Sequence, residues 1–193
     1  MKGEFETTEQ FQDRQAKAIQ FDREYAFAID YDENDFKYDA DAQAMKASIV
    51  IESKLLSPVY FRQPAISIKD RMEGEERHVG MNGYGARMVF TSRLRSRFGI
   101  VLDRPSSWVT ELTFPLTIEQ AKIVKSNLRM VVVGTVPNAR IYLGSDYQSA
   151  TISNPLEVST QEYYLNFLIR EVRIVDSRSG QMVARFERLN FEH

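Results

Sequence analysis

Between Tyr84 and Gly144 strand-like runs follow one another with room for only one helix. This shortage of helix constrains the fold more than any other feature, because parallel strands need crossovers of a dozen or more residues, usually helical. The stretch centres on Thr110-Glu111-Leu112-Thr113-Phe114-Pro115-Leu116-Thr117 and on Met130-Val131-Val132-Val133, the most apolar run in the chain. Trp108, Thr110, Leu112 and Phe114 share one side of a strand, and Val131 and Val133 are expected to meet Leu112 and Phe114 in the core. Thr117 and Gln120 have capping-box spacing, which predicts a helix of about two turns running to Ser126-Asn127.

Period-two patterns recur outside this stretch. Met45, Ala47, Ile49 and Ile51 alternate with Lys46, Ser48, Val50 and Glu52, the pattern of a half-buried strand. A strand is expected over Ala65–Lys69, and a charged, glycine-containing loop over Asp70–Gly83. Ala86, Met88 and Phe90 face away from Arg87, Val89 and Thr91. Strands over residues 129–136 and 139–143 are split by Pro137-Asn138, a turn signal; residues 144–158 are expected to be mostly loop. Tyr163–Val175 is one long run, turned by Asp176-Ser177-Arg178-Ser179-Gly180 onto Met182, Ala184 and Phe186. The fold class this predicts is mainly β (α+β): an antiparallel sandwich or barrel of roughly eight to ten strands, with an N-terminal helix and one short internal helix.

The chain of 193 residues fits one domain with an appendage: an acidic, partly helical arm over 1–44 and a β-rich domain over 45–193. In the arm Thr7 and Gln10 again have capping-box spacing. Phe11, Ala18, Phe21, Tyr25 and Ile29 share a helical face, although Tyr25, Phe27 and Ile29 also alternate as a strand would. Residues 1–44 hold 12 Asp or Glu against 5 Lys or Arg, and residues 45–193 hold 15 against 20. An acidic arm therefore precedes a basic body, which either covers itself with the arm or meets an anionic partner.

Composition removes several chemistries. Without cysteine there is no thiol catalysis, no Cys-ligated metal and no disulfide. Histidine occurs only at His78, in the expected loop, and at His193, and there is no G-x-S-x-G, so a Ser-His-Asp triad has no foundation. No apolar window is long enough for a transmembrane helix. The opening residues lack the apolar core of a signal peptide, which leaves a cytosolic protein or one whose leader has been removed. We favour a periplasmic or envelope-associated setting over the cytoplasm.

Four constellations of residues could carry chemistry. Asp103, Glu111, Glu157 and Glu171 lie on or beside strands, where a carboxylate-based hydrolase of glycan or a similar polymer would need two acids facing one cleft; each is expected to be a sheet-face charge in water. Asp30, Asp32 and Asn34 fit the first ligand positions of a calcium loop, but Asp35 replaces its glycine and Asp41 its bidentate glutamate, so no metal or other cofactor is expected. Gly80, Gly83 and Gly85 precede a strand where a dinucleotide site needs a helix. The sharpest feature is Arg93, Arg95 and Arg97, alternating with Leu94, Ser96 and Phe98. A strand places these three guanidinium groups on one face, about 6.5–7 Å apart, as a site for a protein or anionic-surface partner. Alternatively they protect a sheet edge or pair with the acidic arm. Nucleic acid is not expected, since the overall balance is slightly acidic and no nucleic-acid motif occurs. The functional expectation is a non-catalytic binding or structural module of a bacterial envelope or accessory kind.

Overall fold

The computed structural model describes residues 7, 10, 23–30, 35–58, 61–81, 85, 87–102, 109–138, 140–151 and 153–187. These form β1 (Glu24–Ala28), β2 (Phe36–Asp39), β3 (Ala44–Val50), β4 (Glu52–Leu56), β5 (Phe61–Met81), β6 (Arg87–Val101), β7 (Val109–Pro115), α1 (Ile118–Val124), β8 (Leu128–Thr135), β9 (Ile141–Gln148), β10 (Leu156–Asn166), β11 (Leu168–Asp176) and β12 (Met182–Glu187). The mainly-β expectation holds: among the described residues there are twelve strands rather than eight to ten, and they form no closed barrel.

A three-stranded sheet, β2-β3-β7, and a four-stranded sheet, β1-β8-β11-β12, share the main core. Met45, Ala47 and Ile49 alternate inward as their period predicts and pack with Phe36, Leu112 and Phe114. Met130, Val132, Val172 and Ile174 come from the other sheet, and Phe186 meets Phe114 edge to face with ring centres 6.3 Å apart. The inward parity on β8 is the reverse of expectation. Met130 and Val132 reach the core with no exposed surface, whereas half-buried Val131 and buried Val133 lie on the opposite face beside Arg173 and Glu171. A one-residue slip exchanges the faces of a strand, and an unbroken apolar run carries no alternation to set it.

α1 begins as its sequence predicts. Thr117 N donates to Gln120 Oε1 at 3.0 Å, and Gln120 N donates to Thr117 Oγ1 at 3.2 Å. Thr7 and Gln10 exchange the same pair of bonds, while the rest of the expected N-terminal helix up to residue 22 lies outside the described residues. Its far end, Tyr25 to Ala28, is strand.

The third sheet has the order β4-β5-β6-β10-β9. Its β6–β10 pair is parallel, which makes this sheet mixed within the otherwise antiparallel pairing of the described strands. No crossover helix is needed, because the chain between them passes through β7, α1, β8 and β9. The Tyr163–Val175 run is also two strands, since at buried Phe167 the chain leaves this sheet for the four-stranded one. The loop expected over Asp70–Gly83 is instead strand as far as Met81. Its charged residues have low β propensity, but they pair with β6 residue by residue, and bulges at Ser67/Lys69 and Met72/Gly74 absorb the extra length. β9 likewise extends to Gln148 through residues expected to be loop.

Backbone bonds of 2.8 and 3.0 Å between Ser57 and Leu143 tie the outer strands β4 and β9 together at one end. The sheet curls without closing. Leu56, Ala65, Val101, Tyr142 and Tyr164, one from each of its strands, form a second small core on the concave face. Ile66 and Ile100 on the other face join the main core.

Candidate functional site

The arginine ladder lies on this concave face. Pairing aligns Arg93, Arg95 and Arg97 with Val158, Thr160 and Glu162 of β10, and with Glu75, Met72 and Asp70 of β5. The three arginines share one face, as their period predicts, but they are half-buried and their partners differ.

Arg97 is held on two sides. Its Nε and a terminal nitrogen donate to the two Asp70 carboxylate oxygens at 2.8 and 2.9 Å, and its other terminal nitrogen donates to Glu162 Oε1 at 3.3 Å. Lys54 Nζ donates to the same Glu162 oxygen at 2.8 Å and lies 2.8 Å from Glu52 Oε2. The Ser67 hydroxyl is 3.4 Å from Glu52 Oε2 and 3.5 Å from the Tyr164 hydroxyl. Only 4% of the Glu162 side chain is exposed, so its charge must be met by a partner, and here Lys54 and Arg97 both meet it. Two glycines make room for this packing. A Cβ on Gly144 would come within 2.7 Å of Glu162 Oε2, and one on Gly99 within 2.3 Å of the Tyr164 ring.

The electrostatics follow from these bonds. Hydrogen bonds from Arg97 hold the Asp70 carboxyl below its ordinary range, with the charges of Arg97, Arg95 and Lys54 acting in the same direction. Arg97 is raised, first by its bond to Asp70. Burial pulls Lys54 down, but hydrogen bonds to Glu162 and Glu52 outweigh it and the ammonium is raised. Burial raises Tyr164. A cavity of about 280 Å³ beside this network is lined by Asp30, Glu52, Ser67, Ile68, Lys69, Asp70 and Arg97.

Arg93 is bonded to Glu75, Nε to Oε2 at 2.7 Å. Arg95, between them, makes no ion pair among the described residues, and it faces Met72 and Thr160 across the two ladders. Among the described residues the face thus carries one half-buried arginine with no carboxylate in ion-pair contact, set between two that are neutralised. Such a group can take a carboxylate or phosphate through charge-assisted hydrogen bonds. General-acid chemistry needs a carboxyl held neutral near pH 7; Asp70 is shifted the other way.

The other candidates are scattered. Asp103 lies outside the described residues, exposed Glu111 pairs with Lys46 at 3.1 Å, and Glu157 hydrogen-bonds Tyr147. Glu171 is buried between Arg173 and Arg185 rather than standing in water. Burial pushes its carboxyl up, but the bonds from Arg185 and Arg173 prevail and hold it below the ordinary range. His78 is on strand β5 rather than in a loop, stacked on Phe90 with ring centres 5.7 Å apart. Asp32 and Asn34 lie outside the described residues, and Asp41 sits in the exposed turn after β2, its N–H bonded to Asp39 Oδ1 at 3.1 Å. Among the described residues no three acidic or histidine side chains gather as metal ligands. No described helix is long and apolar enough to cross a membrane.

Sequence reasoning missed Lys54, Asp70 and Glu162 because no local pattern marks them. The nearest signal was the alternation Val158, Thr160, Glu162, Tyr164, which places a glutamate on the buried face of a strand. No protein-family model, no curated protein and no solved structure matches this chain.

Proposed function

We propose that this protein is a non-catalytic binding module whose recognition element is the concave face of the curled sheet. Its partner presents a carboxylate or phosphate to Arg95. The supporting observation is the division of labour in the ladder: Arg93 and Arg97 have carboxylate partners, and Arg95 has none among the described residues. Half-buried beside Met72 and Thr160, Arg95 is partly stripped of water, which strengthens its bond to an incoming anion.

The test compares two single replacements. Arg95→Ser should melt like the wild type and lose salt-sensitive retention on a sulfonate matrix. Arg97→Ser should instead lower stability by about 2 kcal/mol, because it leaves Asp70 without its partner and Glu162 with Lys54 alone. Unchanged retention of Arg95→Ser at every salt concentration would remove the ladder from recognition.

A further inference from the structure

β5 and β6 run past the strands that flank them. β4 accompanies β5 only to Ala65, and β10 joins β6 only from Thr91. Beyond these points Arg77–Met81 and Arg87–Phe90 form a two-stranded ribbon with the register Val79↔Val89, Gly80↔Met88, Met81↔Arg87.

This ribbon is apolar where a ribbon in water should be polar. Val79, Met81 and Val89 share its concave-side face and are 67%, 69% and 56% exposed. On the other face Phe90 lies over Gly80, where a Cβ would come within 2.5 Å of the ring, and stacks on His78. Charge has one sign: between Glu76 and Asp103 the sequence holds five arginines and no carboxylate. Two of them, Arg77 and Arg87, belong to the ribbon itself. An exposed apolar patch marks a docking surface, and a ribbon whose own charged side chains, Arg77 and Arg87, are both cationic suits a negatively charged one. Basic side chains near an anionic bilayer are each drawn to its surface. The registers from Val79 to Met81 span about 7 Å, which matches the shallow depth at which apolar side chains enter the headgroup and acyl boundary.

We propose that the β5–β6 tip docks on an anionic lipid surface, with Val79, Met81 and Val89 entering the acyl boundary and Arg77 and Arg87 meeting lipid phosphates. This goes beyond the anion site at Arg95 and is separable from it. Arg95 lies about 20 Å along β6 from Val89, farther than the Debye length at physiological salt.

The experiment is co-sedimentation of the full chain with vesicles of phosphatidylcholine alone and with phosphatidylglycerol added. The wild type should pellet with the anionic vesicles and not the neutral ones. The V79D/V89D double variant should bind at least about tenfold more weakly, and Arg95→Ser should bind as the wild type does. Three results would overturn the proposal: no pelleting of the wild type, undiminished pelleting of V79D/V89D, or a wild-type dimer in sedimentation velocity that V79D/V89D abolishes, which would assign the tip to a second copy. If V79D/V89D melts below the wild type, Met81→Asp alone carries the same prediction.

Discussion

Asp70 takes both of its hydrogen bonds in the charged network from Arg97, and this makes it the residue through which pH acts on the curled sheet. Its folded pKa lies below its ordinary value of 3.8. The unfolded chain therefore binds a proton more readily, so the pair's contribution is complete above that value and is lost as pH falls through the lower folded pKa. Asp70→Asn should flatten the acid limb of the melting curve below about pH 4; an acid limb parallel to that of the wild type would show that the network does not govern acid sensitivity. Glu162 behaves differently. It shares one oxygen between Lys54 and Arg97, so removing either cation leaves it still paired, and the cost of each loss is softened by the other.

At the scale of elements, β8 offers the cleanest test of packing. Met130→Ala should cost about 2–5 kcal/mol because it opens a cavity in the main core. Val131→Ala, on the half-buried opposite face, should cost less than about 1 kcal/mol. Denaturant midpoints with the reverse order would restore the parity that the sequence led us to expect. Elements whose signals are local were legible in the sequence. β3 alternates because one face is buried and the other wet. The turn after β11 carries its own chemistry: Asp176 accepts bonds from the Arg178 N–H and the Ser179 hydroxyl, and Gly180 takes a φ of +73°. The distal half of β5 was not legible, because its strand conformation depends on β6 rather than on its own residues. The ladder lay between these cases. Its common face follows from a period of two, but its partners Glu75, Asp70 and Glu162 stand 18, 27 and 65 positions away, out of reach of any local pattern.

At the scale of the molecule, the two smaller sheets provide a dry sandwich core, and the curled third sheet gathers the charges. Its concave floor is apolar at the Leu56–Tyr142 end and ionic where Lys54, Glu162, Arg97 and Asp70 meet. Farther along β6 come Arg95, then the apolar ribbon. The central claim is that Arg95 alone of the three ladder arginines is available to an outside anion. The most direct measurement is a nuclear magnetic resonance titration of the arginine Nε–H signals with inorganic phosphate, with Arg95 assigned from the spectrum of Arg95→Ser. The account predicts that the Arg95 signal moves and saturates while those of Arg93 and Arg97, already bonded to Glu75 and Asp70, hold their positions. Movement of all three together, or of Arg97 with Arg95 unmoved, would contradict it.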